Sequence, residues 1–484
     1  SKYSFDELCD CDFTGGNVFN VSMGEEFEQT SQEIRVTSPT GGKLEYILGA
    51  YYETSDVDFG DTILVASNSV LVPLLNASPA FCVPVVTPLC GIAGTMIANT
   101  GTPRVFPQDA TSYSAFAQLT VNLFEDFRTT LGLRYTNDEK DASRTLAITD
   151  INGAPLTGLQ AALAPVVYRN VFNVRPHDLS GSRSEEQLLP SINFEWQLDD
   201  NRMLYLSWSQ GAKSGGYDAR SNNPTVPPGI ACTAPNTPPG CLQPNNIGTF
   251  EYEEEKSNTF ELGTKLNLGG TFELNAAVYL TNFSDLQVST FDGVLGFNVR
   301  NAGEAEIKGL EIDTRWQATP NLLLSSSIAY TDFEFQDYIG QCFLPTPIPA
   351  PPRPLPVNCD YSGKTNEFVA PWVGTLAANY TRPIGSSLMF HLGMDLYYTD
   401  EYFVAPTLDP NQKQESYYKV NGRMGIGDAD GSWDISLVGK NLFNEEVRPY
   451  GNDTPLAGRT LRAYSTWRFV EPGSSVALQA TVRF

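Results

Sequence analysis

The chain has 484 residues, of which 18 % are charged, with a formal net charge of −25 and abundant Tyr and Phe. That acidity argues against nucleic acid as a partner, because binding it rests on Lys and Arg neutralising phosphates, and it suits cations or cation-bearing ligands better. No run reaches the roughly 18 to 20 apolar residues of a membrane-spanning helix, so the chain is either water-soluble or crosses a membrane as strands.

The opening SKYSFDELCD holds no secretory signal, as expected of a mature or incomplete chain. From there, period-two alternation dominates and sustained helical periodicity is nearly absent. Strands are predicted at about residues 18–38, 43–56, 110–124, 127–139, 184–198, 202–216, 252–268, 271–291, 297–317, 322–336, 366–382, 388–402, 416–427, 432–451 and 467–484, fifteen in all. In FRTTLGLRY, Phe127, Thr129, Leu131, Leu133 and Tyr135 share one face, while Arg128, Thr130, Gly132 and Arg134 share the other. One face suits lipid and the other suits water. LMFHLGMDLYY (388–398) and the terminal VALQATVRF repeat the pattern.

The connections alternate too. Tight turns at 38–43, 124–127, 198–201, 268–271, 318–321, 383–387 and 428–432 face long segments near 57–109, 140–183, 217–251, 337–365, 403–415 and 452–466, with one short link at 292–296. Short turns on one rim and long loops on the other describe an all-β transmembrane antiparallel barrel of the bacterial outer membrane. Phe484, at the end of an alternating strand, belongs in the aromatic girdle of the periplasmic rim. Single-chain bacterial barrels have even strand counts, and a bare sheet edge in lipid is not viable. Something is therefore expected to precede Ser1 or to pair with it.

Eight cysteines fall into local pairs. Cys82 with Cys90, Cys232 with Cys241, and Cys342 with Cys359 enclose Pro-rich segments with little charge and no nearby His, which reads as loop-closing disulfides rather than zinc ligands. The pair of Cys9 and Cys11 stays open: a bridge across one residue is strained, and either thiol has the alternative of pairing upstream.

FEQTSQEIRVTSPTGGKLEYILGAYYE (27–53), FRTTLGLRYTNDEK (127–140), LYLSWSQGAKSGGYDAR (204–220), GLEIDTRWQATPNLLLSSSIAYTD (309–332), VGKNLFNEEVRPYG (438–451) and EPGSSVALQATVRF (471–484) together resemble the barrel of TonB-dependent outer-membrane receptors. The resemblance spans nearly the whole chain. It implies a 22-stranded barrel closed by an N-terminal plug. The fifteen strands then correspond to the last fifteen, residues 1–484 are a partial barrel domain, and the plug with its TonB box lies outside the sequence. The implied activity is import of a scarce nutrient, most often a ferric siderophore or similar metal complex, across the outer membrane of a Gram-negative bacterium. Its implied partners are TonB–ExbB–ExbD, outer-membrane lipid and lipopolysaccharide, and the small ligand. No cofactor is expected.

Alternation turns Glu33, Arg35, Arg134, Tyr205, Lys213, Glu261, Lys265, Glu311, Asp313, Arg315, Asp395, Lys419 and Arg423 toward the lumen, where they either hold a plug or satisfy one another in a wet interior. Ligand contacts are expected at outer strand ends and loop bases: Tyr217, Asp218, Arg220, Tyr252, Phe291, Arg300, Tyr402 and Phe403, with the outer aromatic girdle as the competing role for the rings. EYEEEK (251–256) is either a Ca2+ site or a solvated loop base. His177 and His391 are the only histidines, and no P-loop, H-E-x-x-H or G-x-S-x-G is present, so no catalytic residue is assigned. The alternatives to active import are a passive porin, if a sixteenth strand closes the barrel, and an adhesive barrel without a ligand cavity.

Overall fold

The computed structural model describes residues 1–82, 87–225, 248–301, 303–348, 358–458 and 460–484. Cys232 and Cys241, expected to close a loop as a disulfide, both lie outside these residues. One antiparallel sheet holds 17 strands, and setting aside the two-residue Thr149–Asp150 leaves sixteen long ones. These are β1 (Lys2–Cys9), β2 (Asn20–Thr37), β3 (Leu44–Val65), β4 (Thr100–Asn122), β5 (Phe127–Leu146), β6 (His177–Asp199), β7 (Arg202–Lys213) and β8 (Glu255–Leu268), followed by β9 (Phe272–Ser284), β10 (Glu304–Thr319), β11 (Leu322–Asp337), β12 (Trp372–Ile384), β13 (Leu388–Thr399), β14 (Tyr417–Asp428), β15 (Trp433–Lys440) and β16 (Ser475–Val482). Each pairs with its neighbours in chain order. Among the described residues β1 pairs only with β2 and β16 only with β15, which leaves the sheet two free edges.

The tight turns all lie on one rim, between β2 and β3, β4 and β5, and so on to β14 and β15. On the outer face, Leu262 of β8, Val278 of β9 and Leu310 of β10 stand in one register row. Leu262 and Val278 keep 54 % and 48 % of their surface exposed, and Ile34, Leu133, Leu206, Leu376, Met424 and Leu437 continue the belt. An apolar belt of that extent requires a lipid solvent, and strands satisfy it because every ladder hydrogen bond is made between neighbours. Among the described residues no helix is long and apolar enough to cross a membrane.

The buried apolar core lies at the other rim. The 66–99 connection folds into α1 (Leu71–Asn76) and α2 (Ala93–Ile97), and the 147–176 connection contains α3 (Gly158–Val167). Leu71, Leu75, Ile97, Val167, Tyr168 and Phe172 pack together there, with Phe19, Val294 and Leu456 joining from distant loops. A Cβ on Gly94 would overlap the carbonyl oxygen of Val72, so glycine is what lets α2 lie against α1. Burying these side chains is the principal hydrophobic gain open to a chain whose wall faces lipid.

Several expectations are corrected. β1 is a sixteenth strand beyond the fifteen expected, and the alternation in KYSFDELC is its signal. β3 and β4 run to Val65 and Thr100, far past the predicted 56 and 110, because above the lipid both faces are polar and the pattern fades while the ladder continues. Strands predicted through 271–291 and 297–317 break near Asp285 (φ 55), and Gln287–Phe291 pairs with Phe297–Asn301 as a separate hairpin. The strand predicted to 451 ends at Lys440, where Asn441 (φ 47) turns the chain and bonds through its side chain to both backbone groups of Glu445. Residues 466–468 pair with 451–453 in a small sheet of their own, so the final strand begins at Ser475 rather than 467.

Candidate ligand-binding site

Two buried arginines shape the loop-rich rim. Arg144 is fully buried; its Nε donates to His177 Nε2 at 3.0 Å, and its guanidinium donates to the carbonyls of Asp218, of Thr249 at 2.8 Å and of Asn223 at 3.1 Å. Since His177 Nε2 accepts there, the ring is neutral and its Nδ1 donates to the Arg175 carbonyl at 2.8 Å. Arg104 Nε donates to Asp61 Oδ1 at 2.8 Å, while its Nη1 donates to Asn222 Oδ1 at 3.0 Å and to the Arg220 carbonyl. Together they fix the segment 218–223 from β4 and β5, so the side chain of Arg220 is presented on a rigid base.

Arg220 projects into a cavity of about 250 Å³ where four distant loops converge. Its guanidinium lies 4.4 Å from the ring centre of Phe297, and among the described residues it donates no hydrogen bond to a carboxylate or carbonyl. Phe291 and Phe297 come from the 287–301 hairpin, Phe13 from the β1–β2 loop, and Tyr450 and Trp467 from the β15–β16 connection. Asp292 holds the hairpin tip: its carboxylate accepts from the amides of Val294, Leu295 and Gly296 at 2.8 to 3.0 Å. Its burial pushes that carboxyl up from the usual carboxylate range against the pull of those donors. Asp12, also buried, accepts from the amides of Thr14 and Val18 and so sets Phe13 in place. The result is an aromatic concavity in which the Arg220 guanidinium feels the charge of Asp61 and Asp218 without hydrogen-bonding either carboxylate, so that planar rings can stack there and an anionic group can accept from it.

Residues 24–442 match the TonB-dependent receptor-like β-barrel domain. The chain belongs to the TonB-dependent receptor β-barrel family. It is 24 % identical over 212 residues to the pesticin receptor of Yersinia enterocolitica, a match covering 44 % of this chain and 24 % of that protein. The pesticin receptor of Yersinia pestis is 21 % identical over 345 residues, 71 % of this chain and 40 % of that one. Among solved structures, the ferric yersiniabactin uptake receptor FyuA of Yersinia pestis has a TM-score of 0.66 at 17 % identity, covering 100 % of this chain and 57 % of its own. The siderophore receptor PiuA of Acinetobacter baumannii has 0.60 at 16 %, covering 99 % and 60 %. These likenesses establish the receptor-barrel fold, and the chain spans little more than half the length of these structures. The family is one of receptors rather than enzymes.

In this TonB-dependent receptor barrel the expected ligand residues separate. Arg220 and Phe291 line the cavity. Tyr217 and Asp218 are buried behind it: Tyr217 packs 4.9 Å from Phe250, and Asp218 accepts from the amides of Arg220, Ser221 and Val299. Tyr252 gives its carbonyl to Arg183 Nη1 at 2.7 Å, and Arg300 sits opposite Val288 in the hairpin. Tyr402 and Phe403 belong to a second cavity region, where the Lys413 ammonium lies 4.8 Å from the Phe403 ring. Phe13, Tyr450, Trp467 and Phe469 were not anticipated; the aromatic spacing in RAYSTWRF was the available signal.

On the lumen side Glu33 and Arg35 form a 3.8 Å ion pair, Arg134 donates to Ser114 and Thr136, and Tyr205 donates to Glu261. Lys213 stands opposite Glu255, Lys265 opposite Asn275, Glu311 opposite Ala277, Asp313 opposite Asn275 and Arg315 opposite Glu273. Asp395 accepts from Asn421 at 2.6 Å, and Arg423 pairs with Asp434 at 2.8 Å. The cation that meets EYEEEK is Arg183, 3.1 Å from Glu251 and 3.3 Å from Glu253; no group of metal-ligating side chains is found among the described residues. Disulfides join Cys9 to Cys11, Cys82 to Cys90 and Cys342 to Cys359. Two of the three expected loop disulfides are thus present, the Cys9–Cys11 bridge left open by the sequence is formed, and with Cys232 and Cys241 outside the described residues these three bridges account for every described cysteine.

Proposed function

We propose that the chain is the larger, C-terminal part of the barrel of an outer-membrane receptor that imports a ferric siderophore bearing aryl groups, driven through TonB. The observation that carries this reading is the Arg220 cavity, in which aromatic rings from three loops surround a guanidinium that, among the described residues, hydrogen-bonds no carboxylate. A ferric chelate with aryl-oxygen donors offers both features such a wall recognises, a planar ring and negative charge. At about 250 Å³ the cavity is just under the usual size of a small-molecule pocket, so it takes one aryl arm and leaves the metal centre outside. Two free sheet edges and the partial span of its relatives support further strands and a plug contributed by residues beyond this chain. In this reading the plug segment engages TonB–ExbB–ExbD, and the apolar belt meets lipid and lipopolysaccharide in the outer membrane of a Gram-negative bacterium.

The test is uptake of radioactive iron by a receptor-deficient strain carrying the full-length gene, with catecholate, phenolate, hydroxamate and citrate chelates offered in turn. Saturable uptake of an aryl chelate that needs TonB supports the reading. Non-saturable entry of unrelated solutes, indifferent to the proton gradient, would make the protein a passive porin instead.

A further inference from the structure

The Cys9–Cys11 bridge stands at the head of the loop that brings Phe13 to the Arg220 cavity. Cys9 is the last residue of β1, laddered to Val21 of β2, and Cys11 itself lines the cavity. Both are half-buried. One residue further on, the buried Asp12 carboxylate accepts from the amides of Thr14 at 2.8 Å, Val18 at 3.0 Å and Phe19 at 3.3 Å. Bridge and carboxylate hold the turn between them, and from it Phe13 reaches Trp467. The other two described bridges, Cys82–Cys90 and Cys342–Cys359, join residues 8 and 17 positions apart and line no part of that cavity. In the chain-entropy account a cross-link stabilises a fold more the longer the loop it closes, so the bridge between cysteines two positions apart stabilises least of the three. A ring that short is also the most readily opened, because it holds its two cysteines away from relaxed geometry.

We propose that the Cys9–Cys11 bridge is a thiol-exchange site through which a small dithiol in the medium sets the affinity of the Arg220 cavity. The inference rests on the ligand reading above. The thiolate of the dithiol attacks Cys11 Sγ from the cavity, a mixed disulfide forms, and Cys9 leaves as a thiolate that takes up a proton. The second thiolate of the dithiol then attacks its own sulfur in that mixed disulfide. Cys11 is released as a thiol and the dithiol departs as a cyclic disulfide, so two electrons and two protons pass from the dithiol to the bridge. Once the bridge is open, Asp12 holds the turn alone and Phe13 is no longer pinned against Trp467. Loss of that stack sets the size of the effect, a roughly fivefold weaker chelate complex. The direction suits the cargo. A medium reducing enough to open the bridge also converts ferric iron to ferrous, whose aryl-oxygen chelates are weak, so capture relaxes when ferric chelates are scarce.

The experiment grades reduction against binding. Full-length receptor extracted from its outer membrane is treated with increasing dithiothreitol, freed thiols are capped with iodoacetamide, and peptide masses show which bridges have opened. The desalted samples are titrated with a hexadentate tris-catecholate gallium(III) complex, and amide exchange is followed at Thr14 and Val18. Cys9 and Cys11 are expected to be capped at the lowest dithiothreitol, with faster exchange at both amides and gallium-complex affinity down about fivefold. Reoxidation of an uncapped sample restores the affinity. Cys9→Ser with Cys11→Ser binds as the reduced receptor does and ignores dithiothreitol. Capping of Cys9 and Cys11 with affinity unchanged, or a bridge still closed after the other two have opened, overturns the exchange site and leaves the import reading standing. No gallium complex bound by the oxidised receptor overturns both.

Discussion

Phe13 and Trp467 stack face to face, their ring centroids 4.0 Å apart and their planes 17° from parallel. One comes from the loop after the first strand and the other from the loop before the last, so the stack ties together two ends of a sheet whose edge strands do not pair. Phe13 sits in the left-handed region (φ 55), a conformation held by the Asp12 side-chain bonds. Such a pair contributes about 1 kcal/mol beyond its buried area. Phe13→Ala is therefore expected to weaken aryl-chelate binding roughly fivefold while the barrel keeps its heat-modifiable mobility on gels. Unchanged affinity in a folded variant would remove the stack from the site.

Arg104 and Asp61 are both under a tenth exposed, and removing one leaves the other as a buried unpaired charge. Asp61→Asn is expected to destabilise the 218–223 segment by about 3 kcal/mol, whereas replacing both, as in Arg104→Met with Asp61→Leu, recovers much of that loss. Hydrogen exchange at Arg220, Ser221 and Asn222 reads the difference. If the single and double variants exchange alike, the pair does not anchor the segment.

The hairpin tip carries a pH dependence. Burial raises the Asp292 carboxyl above 3.8, so the folded tip holds that proton to higher pH than the unfolded one. Stability contributed there is greatest at acid pH, falls as pH rises from about 3.8 through the raised value, and levels off above it. Amide exchange at Val294, Leu295 and Gly296, corrected for its intrinsic rate, is expected to quicken across that window. In Asp292→Asn, which has no proton to lose, the slope disappears. A variant with the wild-type slope would place the titration elsewhere.

What could be read from the sequence follows which physical force orders each part. The wall was legible because lipid on one side and water on the other impose strict alternation, as in Leu131, Leu133 and Tyr135 against Arg128 and Arg134. Above the lipid that contrast vanishes, and VDFGDT (57–62) reads as loop although it is ladder-bonded along its whole length. The loop core was invisible for another reason: LVPLLN and AGTMI are too short to show a helical period, and their burial depends on partners distant in the chain, such as Tyr168 and Phe172. Arg220 and Phe291, expected at outer strand ends and loop bases, do line one cavity, whereas Phe13 and Trp467 reach it only through tertiary closure.

Two neighbouring residues of β8 report which face of the wall meets lipid. Glu261 and Leu262 are adjacent in β8 and point to opposite sides, Glu261 accepting from Tyr205 and Leu262 lying level with Val278 in the apolar belt. Leu262 is six residues above Leu268 at the turn. At about 3.4 Å per residue and a tilt near 40°, that is roughly 15 Å, close to the middle of a belt about 25 Å tall. An arginine there is expected to cost about 2 to 4 kcal/mol, the penalty of a midplane cation facing lipid. Glu261→Gln, on the wet side, keeps an acceptor for Tyr205 and is expected to change stability by less than about 1 kcal/mol. Folding titrations of the full-length receptor into lipid vesicles, read by tryptophan emission in urea, separate the two. Equal costs for both variants would mean that the alternation in this strand does not report which side faces the membrane.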